Sequence, residues 1–134
     1  MKTTGAYPEN MPRDECLRLM ATTGVGRIIY TRRAMPAVEL IAFSLDGGDI
    51  VVQTMRDQIA AAIRDSIVAF EADQVSPHDE SGWTVTVIGQ AHEDVSSSPG
   101  GHSSPDGREH VIRIRPELVT GFRIAIPAVA RVAA

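Results

Sequence analysis

Residues 46–63 read Asp46-Gly47-Gly48-Asp49-Ile50-Val51-Val52-Gln53-Thr54-Met55-Arg56-Asp57-Gln58-Ile59-Ala60-Ala61-Ala62-Ile63. The first four residues signal a hairpin, because glycine accepts the positive φ values that a two-residue β-turn requires. Residues 50–54 then form a returning strand rich in β-branched side chains. An amphipathic helix opens within three residues. Ile59, Ala62 and Ile63 make its narrow apolar stripe, and Asp57 is placed to cap its start. A helix that begins this close to a strand end aims backbone N–H groups past the sheet, which suits a phosphate.

The hairpin implies antiparallel pairing, and the flanking sequence extends it. Upstream, residues 37–45 are mostly apolar and predict a strand buried on both faces or lying near a barrel interior. Arg27-Ile28-Ile29-Tyr30-Thr31 predicts another strand, joined to it by a connection over residues 32–36. Pro12 suits a first helical position, Asp14 and Glu15 favour the positive end of the helix dipole, and Cys16, Leu17, Met20 and Ala21 recur at helical spacing. A helix over residues 12–22, ended by Gly24 and Gly26, therefore packs on the sheet, behind a flexible tail of residues 1–10. Downstream, residues 67–72 predict a strand and residues 76–82 a turn. Trp83-Thr84-Val85-Thr86-Val87 alternates strictly, with Trp83, Val85 and Val87 on one face. Residues 93–109, rich in Ser, Gly, Pro and Asp, predict a mobile loop. Residues 110–115 alternate again, residues 116–119 read as a short helical turn, and residues 121–126 as a last strand. The order predicts one domain over residues 1–134, mostly β with short helices, its antiparallel sheet closed into a small barrel.

Composition excludes several function classes. The 134 residues are 43% hydrophobic and 22% charged, with a net charge of −4, so general attraction to nucleic acid or an anionic membrane is not expected. No apolar run reaches the length of a membrane span, and no signal-peptide core opens the chain, which predicts a cytoplasmic protein. The single cysteine, Cys16, reads as a buried helix residue. His78, His92, His102 and His110 lack the spacing of metal ligands, no serine sits in a nucleophile elbow, and Gly24-Val25-Gly26 precedes a strand where a dinucleotide loop would follow one. Arg27, Arg32 and Arg33 are the densest basic cluster, readable as a solvated strand end or as a ligand contact. Trp83 reads either as core or dimer packing or as a ring stacked near a planar ligand.

The chain resembles the pyridoxamine 5′-phosphate oxidase-like flavin-binding split-barrel proteins, especially the short actinobacterial type. The likeness runs from about Pro12 to Arg123. It rests on Arg13-Asp14-Glu15-Cys16-Leu17-Arg18-Leu19-Met20, Gly26-Arg27-Ile28-Ile29-Tyr30, Met35-Pro36-Ala37-Val38, Asp46-Gly47-Gly48-Asp49-Ile50-Val51, Val68-Ala69-Phe70-Glu71-Ala72-Asp73 and Gly82-Trp83-Thr84-Val85-Thr86-Val87-Ile88-Gly89-Gln90-Ala91. The resemblance implies a homodimer of six-stranded antiparallel split barrels with FMN at the dimer interface, and hydride transfer by the flavin. It implies that the strand from Leu40 to Phe43, with Leu40, Ile41 and Ala42 as site residues, runs along the ring, that Gln53 and Thr54 approach the ribityl chain and phosphate, that Arg56 and Gln58 hold the phosphate, and that Trp83 comes from near the dimer seam. Such relatives usually carry a lysine where Gln58 stands, and a proline and an asparagine near Leu40 and Ala42. A lost charge-assisted contact costs about 1.5–3 kcal/mol, and Asp57 would compete for the N–H groups and repel a dianion. Two alternatives follow. One is a cofactor-poor homodimer that binds a different small molecule with a degraded phosphate pocket. The other is a deazaflavin-dependent reductase, for which the three arginines offer a modest anionic-tail site. A haem site would want a histidine facing the cleft, and the sequence offers none.

Overall fold

The computed structural model describes residues 9–76, 78, 81–94 and 109–125. Its elements are β1 (Glu9–Asn10), α1 (Arg13–Met20), β2 (Val25–Arg32), β3 (Met35–Asp46), β4 (Asp49–Thr54), α2 (Asp57–Ile63), β5 (Ile67–Ser76), β6 (Ser81–Glu93), β7 (His110–Ile114) and β8 (Leu118–Ala125). All pairings are antiparallel, and they run β6-β5-β2-β3-β4-β7 and back to β6. This is a closed six-stranded barrel, with β8 and then β1 continuing from β6 as a side sheet.

The hairpin expected over residues 46–49 forms. Gly47 and Gly48 carry φ of 60° and 86°, and Asp46 pairs with Asp49. Arg113 stabilises this turn from β7, reaching Asp46 at 2.5 Å and Asp49 at 3.4 Å while its Nε donates to Asp94 at 2.8 Å.

The barrel closes because β6 divides one edge between two partners. Ser81–Ile88 of that edge pairs with β8, and Ala91–Glu93 pairs with β7. Between them the chain crosses from β7 to β8 over Gly89. Arg115 N–H donates to Gln90 O at 3.1 Å, and Glu117 N–H to Ile88 O at 3.0 Å. A Cβ on Gly89 would lie 2.8 Å from the Arg115 carbonyl carbon and closer still to its oxygen, so only glycine admits the crossing.

The interior is filled by the alternate residues of each strand, among them Ile28, Ile50, Val52, Phe70, Val85, Val87, Ile112 and Ile114, all fully buried. The short helix α2 packs Ile59, Ala60 and Ile63 against β2, β4, β6 and β7. Helix α1 packs Cys16 and Met20 against β6 and β8. Burial pushes the Cys16 thiol pKa up, with Glu15 adding to the effect, so the thiol is an inert core group.

Four expectations need correction. Residues 116–119 form no helical turn, because Pro116 is buried with its carbonyl accepting from Arg13 at 2.9 Å, and Leu118 and Val119 already pair with Ile88 and Val87. Of the two alternatives for β3, a place along the barrel interior holds and burial on both faces does not, with Val38 56% and Leu40 71% exposed. Of the expected tail, Glu9 and Asn10 pair with β8, and residues 1–8 lie outside the described residues. Of the expected loop, Glu93 is still in β6 and Asp94 N–H donates to Val111 O at 2.8 Å, while residues 95–108 lie outside the described residues. No helix among the described residues is long and apolar enough to cross a membrane.

Candidate functional site

The site is built where β4 leaves β3. The twelve residues of β3 pair with β2 over Met35–Ala42, but with β4 only over Phe43–Asp46. Phe43 N–H donates to Gly24 O at 3.0 Å, on the β2 side. Backbone N–H groups alternate between edges along a strand, so those of Leu40 and Ala42 point to the opposite edge. Along that edge, β3 has no strand partner among the described residues before Phe43.

A cavity of about 190 Å³ lies beside this open edge, lined by Ala42, Phe43, Ser44, Val51 and Gln53. Ala42 and Ser44 face outward from β3, and Val51 and Gln53 face outward from β4. Leu40 continues the same outward row, 71% exposed. The walls are therefore mostly apolar, with the Ser44 and Gln53 side chains and an open backbone edge as polar handles, a mixture found in small-molecule pockets.

The strand-to-helix junction borders the same edge. The Thr54 hydroxyl, the one buried polar side chain among the described residues, accepts the Arg56 N–H at 3.1 Å. Arg56 becomes the N-cap in an extended conformation, and its own side chain makes no cap hydrogen bond. Asp57 is the first residue of α2 rather than its N-cap, and its carboxylate lies 2.7 Å from His110 Nε2. Arg56 donates from Nη1 to Glu39 Oε1 at 2.7 Å, an ion pair that spans from the helix start to β3. At seven residues, α2 is under two turns long and its dipole is correspondingly small.

Of the eight residues singled out in the sequence, Ala42 and Gln53 line the cavity and Leu40 extends it. Ile41 and Thr54 face inward and are buried. Arg56 and Gln58 sit at the helix start, exposed. Trp83, 7% exposed, packs in the core with Val85 and Val87 and does not line this cavity. Ser44 and Val51 escaped the sequence reading, although the register fixed by the Asp46–Asp49 turn places them opposite each other. His110 also escaped it, because its partners are 17 and 53 residues away. The arginine cluster is split. Arg27 is held by Glu71 and Asp73, whereas Arg32 ends β2 and Arg33 enters the following turn with φ of 54°.

Comparison with known proteins agrees with this architecture. The sequence profile of the pyridoxamine 5′-phosphate oxidase family matches residues 12–123. The uncharacterized protein Rv0080 of Mycobacterium tuberculosis is 33% identical over 129 residues, covering 85% of this chain and 84% of the relative. Among solved structures, the FAD binding protein from Mycobacterium smegmatis superposes with a TM-score of 0.71 at 24% identity, covering 87% of this chain and 98% of that one. A FAD-binding protein from Mesorhizobium loti gives 0.75 at 17% identity, covering 90% and 99%. At these identities the structural matches speak for the fold.

Proposed function

This chain belongs to the pyridoxamine 5′-phosphate oxidase family, and from that premise we propose that it is a flavin-binding homodimer whose cofactor serves hydride-transfer chemistry. The observation that carries the reading is the open β3 edge at Leu40 and Ala42, next to a cavity with apolar walls. An isoalloxazine ring presents carbonyl oxygens and ring nitrogens along one side and apolar faces above and below, and this edge and cavity offer the complement. The names of two structural neighbours, both FAD-binding proteins, support a flavin in general. FMN, the smaller of the two flavin nucleotides, is the cofactor we propose. Leu40 and Ala42 would contact the ring through their backbone and Ile41 would set their alignment. Gln53 and Thr54 would border the sugar-like chain, and Arg56 and Gln58 the phosphate. Arg56 keeps further N–H donors beyond the one given to Glu39. The flavin itself would supply hydride transfer; the chain's part is to bind, orient and shield it.

The outer surface supports a second copy. Register places Val38, Ile29, Ala69, Ile88 and Leu118 side by side across five adjacent strands, each on the outward face. Val38, Ile88 and Leu118 are substantially exposed in the single chain. A continuous apolar row of this length on a soluble barrel marks a contact surface. Trp83 stays in the core of its own barrel in this arrangement. Sedimentation is expected to give twice the 14.4 kDa chain mass, and Ile88→Lys is expected to bring it to the single-chain value. A wild-type chain that sediments as a monomer at micromolar concentration would remove the dimer from the proposal.

A second reading has its own observation. The Arg56–Glu39 pair and Asp57 place two carboxylates at the helix start, and the lysine of relatives is Gln58 here. That favours a ligand less anionic than FMN in the same groove, in a protein that binds rather than reduces. The deazaflavin alternative loses support because Arg27 is neutralised by Glu71 and Asp73. Fluorescence titration with FMN, FAD and riboflavin separates the readings. Quenching at micromolar FMN and a yellow protein after removal of excess ligand are expected. A colourless protein that quenches none of the three contradicts flavin binding, whereas preference for riboflavin selects the second reading. An Asp57→Gly, Gln58→Lys double variant is expected to bind FMN about tenfold more tightly. No gain would move the phosphate away from α2.

A further inference from the structure

His110 opens β7 opposite Thr54 of β4, and both its ring nitrogens face carboxylates. Nδ1 lies 2.7 Å from Glu93 Oε2 on β6, and Nε2 lies 2.7 Å from Asp57 Oδ1 on α2. A neutral imidazole carries one N–H and can satisfy only one of them. The imidazolium carries two and satisfies both. The arrangement therefore fits the protonated ring.

We propose that His110 is a proton-controlled clamp whose imidazolium ties the start of α2 to the β6–β7 corner of the barrel, so that loss of its proton loosens Asp57 and disfavours an anion at the helix start. The last part rests on the flavin reading; the clamp itself does not. The surrounding charges favour this state. From α2, Asp57 accepts from His110 and Arg64 donates to Glu93, from Nε at 2.9 Å. From β6, Glu93 lies between Arg64 and His110, and Asp94 is held by Arg113. From β4, Thr54 is uncharged, and at the helix cap Arg56 is paired with Glu39. Protonation of His110 places one positive charge between Asp57 and Glu93, and its loss takes that charge away from beside the helix start. His110 is correspondingly pushed above its ordinary pKa of 6.5 by hydrogen bonds to Asp57 and then Glu93, and Glu93 is held below its ordinary 4.5, first by His110 and then by Arg64.

The signs follow from linkage. A histidine raised in the folded state adds stability that is complete below pH 6.5 and is lost as pH rises through the raised value. A carboxylate lowered in the folded state adds stability that is complete above pH 4.5 and is lost as pH falls through the lowered value. The clamp is strongest between the two.

The test uses the full chain. The imidazole signal lost in His110→Gln is titrated by NMR in the wild type, and melting is followed from pH 6 to pH 9 in both. The proposal expects His110 to titrate above 6.5, Asp57→Asn to bring it back toward 6.5, and the wild type to lose more stability than His110→Gln across that range. Titration at or below 6.5, or equal pH slopes, overturns it. Should His110→Gln fail to fold, Asp57→Asn, altered at an exposed side chain, provides the comparison of slopes. FMN and riboflavin titrations at pH 6 and pH 9 form the second arm. The fall in FMN affinity is expected to be on the order of fivefold larger in the wild type than in His110→Gln, the size of one exposed charge interaction, with no such excess for riboflavin. FMN binding without that excess overturns the link to the site. No flavin binding at any pH, with His110 still titrating high, supports the clamp and overturns the flavin reading instead.

Discussion

Replacing Gly89 with alanine is expected to abolish the native fold or to cost more than about 4 kcal/mol, well beyond an ordinary point substitution. The added methyl meets the carbonyl of Arg115, which is backbone and cannot rotate away. Relief would require lifting the β7–β8 crossing, and with it the Arg115 N–H to Gln90 O and Glu117 N–H to Ile88 O bonds. Those bonds hold the point where one edge of β6 changes partner, so the barrel itself would open. Gly24→Ala is the control, since among the described residues nothing lies within 4 Å of its would-be Cβ, and it is expected to stay within about 0.5 kcal/mol of the wild type. Equal melting curves for the two variants would mean that the seam is not closed in this way.

Phe70→Ala carries the next largest effect. Phe70 is fully buried and meets Phe43 edge-to-face, with ring centroids 4.7 Å apart. Truncation removes the largest fully buried side chain from the interior and leaves a cavity, at about 3–5 kcal/mol, or a fall in Tm of roughly 10–20 °C. The effect reaches the candidate site, because Phe43 lines the cavity on its outer side while its ring is anchored on Phe70 inside. Flavin affinity is expected to fall in the same variant at a temperature where it remains folded. Phe70→Leu, closer in volume, is expected to lose much less. A Tm shift under about 2 °C for Phe70→Ala would contradict the packing described here.

The parts of this structure that sequence revealed are those governed by local chemistry. Gly47 and Gly48 announced a turn because few residues tolerate their φ values, and the alternation of Trp83, Val85 and Val87 announced one buried face. From one hairpin and seven strand signals the antiparallel barrel follows, and the family resemblance implies six strands in it. What escaped depends on residues far apart in the chain. Pro116 and Leu118 look helical in isolation, but their partners are Arg13 and Ile88. Asp57 has the chemistry of a cap, yet an imidazole 53 residues away competes for its carboxylate. Strand β3 is apolar on both faces, but among the described residues neither a helix nor a second sheet covers its outward row. Arg56 looked like a free cation for a phosphate, but Glu39 had no reason to be placed beside it until β3 was seen to run past the helix start.

The most direct test of the flavin site is a 1H–15N spectrum of the labelled protein titrated with FMN. Flavin binding along the open edge of β3 is expected to move the amides of Leu40 and Ala42 most, followed by those of Gln53 and Arg56. An FMN-saturated protein whose Leu40 and Ala42 amides stay in place, with the shifts collected on another face of the barrel, would contradict the assignment of the site.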